Sequence, residues 1–214
     1  MSKPTEENPL REVVFSVRYP GKKIDKKVCE ELIGSISKLE SLDALFGGPM
    51  IEDSSGKAAK SAAIYVSNNS LSVHQFTQYS WTLFRKCIQD VVNVLRDITG
   101  IEAVAPSIRY VNVIRYADSD KDISKYLNVF PSVNGELKDM RLDQFRLMVQ
   151  ERIKSPKGTS MIDVSPGKEG ILFEVGFKSE KIEIQDMEFW YGAAHEVIKE
   201  SFAKGVVSRV CSGE

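Results

Sequence analysis

The stretch from Trp81 to Ile98 constrains this chain more than any other. Trp81, Phe84, Ile88, Val91, Leu95 and Ile98 recur at alternating steps of three and four residues. That spacing lines them up as one stripe on a helix, and such a stripe is stable only when laid on another apolar surface. Ser80 is placed to cap this helix and Gly100 to stop it. A second stripe closes the chain: Met187, Trp190, Tyr191, Ala194, Val197, Ile198 and Phe202 predict a helix over 186–204. The sequence must therefore supply a broad apolar floor for two long helices.

Period-two segments supply it. Val13, Phe15 and Val17 alternate with Glu12, Val14, Ser16 and Arg18, which predicts a strand over 12–19 ended by Pro20-Gly21. Over 107–116, Ile108, Tyr110, Asn112 and Ile114 share one face, and Arg109, Val111, Val113 and Arg115 share the other. Residues 62–66 and 71–77 predict a hairpin around Asn68-Asn69, because asparagine tolerates the positive φ of a tight turn. Further strands are expected at 160–164 and 170–177. Residues 142–152 read as a strand as well, with a helix over 142–153 as the alternative that periodicity leaves open. Asp25 is placed as the N-cap of a helix reaching about Phe46. A loop is expected over 50–61 and a short helix near 122–127.

The order is β-α-β-β-α, then β-(short α)-β-β-β-α. It describes an α+β fold in which long helices cover one face of an antiparallel sheet. The outline admits an internal pseudo-duplication of a β-α-β-β-α unit, although no repeat of fixed period stands in the sequence. The expected layout is a polar tail over 1–9, a single domain over 10–207 and a tail over 208–214. At 214 residues the chain can bury a core without staples.

The formal net charge is −1. Nucleic-acid binders gain affinity by neutralising phosphates, so near-neutrality makes nucleic acid an unexpected partner. The residues Arg141, Arg146, Arg152, Lys154 and Lys157 form one basic stretch, diluted by Asp139, Asp143 and Glu151, and would carry such binding if it occurred. No run of about 18 uncharged apolar residues exists, so no membrane span is expected. The three cysteines, Cys29, Cys87 and Cys211, are unpaired by spacing and read as buried thiols of a cytoplasmic protein. The two histidines, His74 and His195, belong to no metal-binding or nucleophile motif. No phosphate-binding glycine loop occurs. No metal, cofactor or catalytic residue is expected.

Glu12 and Arg109 each interrupt an apolar strand. An unpaired charge there costs several kcal/mol, so the two are expected to pair. With Tyr110 and Asn112 they are the candidates for a ligand or partner pocket.

The opening segment Pro9-Leu10-Arg11-Glu12-Val13-Val14-Phe15-Ser16-Val17-Arg18-Tyr19 resembles that of a sporadically distributed prokaryotic family whose members begin with a Pro-x-x-Glu-apolar strand. Tyr79-Ser80-Trp81, Arg109-Tyr110-Val111-Asn112 and the aromatic final helix bearing His195 are similar to later motifs of the same family. The resemblance implies a prokaryotic source and a link to mobile defence or toxin-associated gene neighbourhoods. It implies no catalytic residues. The expectation is a non-enzymatic interaction protein with a protein partner. A small-ligand binder or enzyme, with a pocket between sheet and helices, is the alternative.

Overall fold

The structure, a computed structural model, describes residues 10–46, 51–53, 56–58, 61–76, 80–115, 146–167 and 170–205. Both tails, the short helix near 122–127, Cys211 and Arg141 lie outside them. The elements run β1 (Leu10–Arg18), α1 (Lys26–Ile36), α2 (Glu40–Phe46), β2 (Ile51–Asp53), β3 (Gly56–Ala58), β4 (Ala62–Val66), β5 (Ser70–Gln75) and α3 (Trp81–Thr99). Then follow β6 (Ala103–Arg115), β7 (Leu147–Lys154), β8 (Lys157–Pro166), β9 (Gly170–Lys178), β10 (Ile182–Glu183) and α4 (Met187–Gly205). The strands form one antiparallel sheet in the order β2-β3-β4-β5-β1-β6-β9-β8-β7, with β10 paired to part of β6.

Period two decides which side chains are buried. Val13, Phe15, Val17, Leu71, Val73, Phe173 and Val175 have no exposed surface, and Ile108 has 1%. Helix side chains meet this core face: Phe15 touches Tyr191 edge-on at 5.7 Å, and Phe173 meets Phe202 at 5.5 Å. Phe84, Ile88, Tyr191 and Ala194 are fully buried, whereas Trp81 is only half-buried. Trp190 lies against Phe177 and satisfies its indole N–H by donating to Ser179 Oγ at 2.8 Å. Burying each of these aromatics contributes about 2–3 kcal/mol.

Two expectations are corrected, and one open reading is decided. The single helix from Asp25 to about Phe46 is two helices. Asp25 does cap the first, accepting from the Val28 amide at 2.9 Å. The break falls at Ser37, whose hydroxyl turns back to the Ile33 carbonyl and competes for the backbone. Residues 50–61 are not simply a loop, because β2 and β3 pair there and extend the sheet beyond β4. The ambiguous segment is a strand over Leu147–Lys154, paired along its length with β8. Pairing with β8 decides what periodicity left open.

Candidate functional site

The outer face, opposite the core, carries the polar residues of the central strands in register. One row reads Tyr65, Ser72, Ser16, Ser107, Lys178, Thr159, Arg152 across β4, β5, β1, β6, β9, β8 and β7. The next reads Ala63, His74, Val14, Arg109, Gly176, Met161, Gln150. A third reads Glu12, Val111, Glu174, Asp163, Met148 across β1, β6, β9, β8 and β7. A row of bases thus lies beside a row of carboxylates.

The charges pair across these rows, but not as the sequence suggests. Glu12 accepts from His74 Nδ1 at 2.6 Å, and Arg109 donates to Glu174 at 3.0 Å. Both carboxylates flank Val111, one on each neighbouring strand, and both stand diagonal to Arg109. Arg109 takes the β9 carboxylate, and Glu12 turns instead to the imidazole on β5. The expected Glu12–Arg109 pair is therefore replaced by two pairs. Arg146, from the residue preceding β7, makes a bidentate ion pair with Asp163, which holds its guanidinium above its ordinary pKa.

His74 is also held by Ser72, whose Oγ lies 3.1 Å from Nε2. The order Ser Oγ, imidazole, carboxylate is the one used to activate a hydroxyl nucleophile. Acyl transfer also needs N–H donors for the developing oxyanion. Here β5 and β1 are ladder-paired on both sides, so the neighbouring amides are engaged within the sheet. The arrangement orients His74 and satisfies its ring nitrogens.

Arg109, Tyr110 and Asn112 do not line one pocket, because successive strand residues point to opposite faces. Tyr110 and Asn112 lie on the core face at 8% and 4% exposure. Asn112 donates to the Phe173 carbonyl at 3.2 Å. Tyr110 Oη is 2.5 Å from His195 Nδ1, and Trp81 stacks on that imidazole at 4.1 Å with the planes 7° apart. Burial lowers the His195 pKa, which favours the neutral ring in this hydrogen bond with the phenol.

The outer face carries a charge excess that no single segment shows. Arg18, Arg109, Arg115, Arg146, Arg152, Lys154, Lys157 and Lys178 stand on it, against Glu12, Asp163 and Glu174, with Glu183 of β10 and Asp53 of β2 added by register at its margins. By register, eight cations thus face five carboxylates, of which Glu12, Asp163 and Glu174 each have a basic partner. All eight cations except the half-buried Arg109 are exposed. Arg146, Arg152, Lys154 and Lys157 come from the basic stretch marked in the sequence. Arg18 and Arg115 fall on the faces that the alternation of their strands assigned, and Lys178 lies one residue past the strand expected over 170–177. Tyr65, 44% exposed, presents its ring edge-on to His74 at 5.1 Å, and Phe76 lies 6.2 Å beyond.

Among the described residues no group of three His, Cys, Asp or Glu is placed to hold a metal ion. Cys29 and Cys87 are free thiols, and burial pushes Cys87 up to about 12. No described helix is long and apolar enough to cross a membrane. Comparison with known proteins finds no family whose sequence pattern the chain matches and no curated protein similar to it.

Proposed function

We propose that the chain is a non-enzymatic binding protein that holds an anionic macromolecule on the outer face of its sheet. The excess of cations on that face carries the reading, since the chain as a whole is at −1. In this reading the helices lie together over the core face and leave the outer face as the working surface. The fold is two copies of one plan joined about a two-fold between β1 and β6. Strand order supports this: outward from that centre come β5 and β9, one from each half, and then β4 and β8. A 19-residue helix follows each half, α3 and α4.

The test is a fluorescence-anisotropy titration with labelled heparin and labelled polyglutamate at 0.15 M salt. Binding with a dissociation constant of about 1–100 µM is expected, weakened about tenfold or more by Arg152→Glu with Lys178→Glu. The same reversal at helix positions Lys26 and Lys199 should leave it unchanged. No binding to either polyanion would overturn the proposal.

A further inference from the structure

We infer that the anionic partner is a single-stranded nucleic acid, its bases stacked at the β4–β5 side and its phosphates following the cations toward β7. The inference rests on the proposed function above and goes beyond it, because charge excess alone does not separate a nucleic acid from an acidic protein segment.

Three observations favour nucleic acid. First, the aromatic groups of this face are gathered, not scattered. Tyr65 and Phe76 each stand within ring-contact distance of His74, and Tyr65 is exposed. An exposed ring braced edge-on by a second ring is a rigid platform for a flat base. Stacking of this kind tolerates any base, because each has a π-face. An acidic peptide gains little from it.

Second, the cations are displaced from that platform. Lys178, Arg152, Lys154 and Lys157 lie on β9, β8 and β7, and Arg146 adjoins them. From β4 to β7 the sheet spans six strand spacings, about 29 Å. A single strand with a base anchored on Tyr65 can lay its backbone across this distance, in keeping with sites of roughly 4–16 nucleotides per domain.

Third, the row between platform and cations is lined with hydroxyls: Ser72, Ser16, Ser107 and, past Lys178, Thr159. These are short neutral donors and acceptors suited to phosphate and sugar oxygens. They leave the surface low enough for a chain to cross. A broad sheet face presents no helix to a major groove, so duplex DNA fits it poorly.

The experiment titrates the folded protein, at 0.15 M salt, with fluorescein-labelled 20-mers of oligo-U and oligo-dT, a 20-bp duplex DNA and polyglutamate of equal charge. Oligo-U or oligo-dT is expected to bind at least tenfold tighter than polyglutamate and than the duplex. The logarithm of its association constant should fall against log salt with a slope of about −3, as contact with four to five phosphates requires. Tyr65→Ala should weaken the single strand about 5- to 100-fold and leave polyglutamate unchanged, and Tyr65→Phe should restore it. Circular dichroism confirms folding, which a substitution at a half-exposed ring should leave intact. Equal binding of single strand and polyglutamate, both indifferent to Tyr65→Ala, would overturn the nucleic-acid inference and leave the anionic-partner reading standing. Tighter binding of duplex than of single strand would also overturn it. Failure of every probe to bind would remove both.

Discussion

His195 shows how one residue links burial to solution behaviour. Its ring is pressed against Trp81 and takes the Tyr110 hydroxyl, and burial lowers its pKa below the ordinary 6.5. Glu196 opposes this shift and Lys199 assists it. A depressed base binds fewer protons when folded than when unfolded, so stability rises with pH between the two pKa values. The contribution is fully present above 6.5 and is lost as pH falls from there through the folded value. Urea unfolding at pH 7.5 and pH 5.5 should show a lower midpoint at the acid value. His195→Gln should flatten that difference, and an unchanged difference would assign the effect elsewhere. The sequence placed His195 at the margin of an apolar stripe, which was legible. Its contact with Tyr110, 85 positions away, was not. The same limit explains the lost Glu12–Arg109 pair. Alternation fixed the face of each charge, but only the order of strands decides that Glu12 meets His74 first.

At the scale of elements, the strands and long helices were readable because each carries its own period. α3 starts after Ser80 and ends on Gly100 at φ 62°, as its stripe and stop signals indicated. The α1–α2 break and the β2–β3 hairpin were missed for one reason: both are short, and tertiary context outweighs propensity over a few residues. Glycines give a test of element packing. At Gly170 a Cβ would collide with the Ile114 carbonyl across the β6–β9 ladder, whereas at Gly192, within α4, it would meet nothing within 4 Å. Gly170→Ala should therefore destabilise by about 1–3 kcal/mol, because backbone must move. Gly192→Ala should stabilise by about 0.5–1 kcal/mol through helix propensity. Chemical denaturation of the two variants should give opposite signs, and equal signs would show that one strand register or helix face is wrong.

For the whole molecule, net charge is a poor guide because the charges are sorted in space. Whole-chain neutrality argued against polyanion binding, yet by register cations outnumber carboxylates eight to five on one face. The cations repel one another within roughly a Debye length, so screening should relieve that repulsion. Raising NaCl from 0.02 to 0.5 M should lift Tm by about 2–4 °C, the equivalent of ~1 kcal/mol for a chain of this size. A fall in Tm would mean that the ion pairs dominate instead. The place of β1 in the sheet has a different consequence, one of timing. It lies between β5 and β6, so the first strand to be synthesised is the one that joins the two halves. Both its edges must wait, the later one until residue 115 has been made, which takes about 5–20 s at ordinary rates of synthesis. A chain lacking residues 10–18 would hold two half-sheets, each with a bare central edge. The same segment added back as a peptide is the piece that would rejoin them.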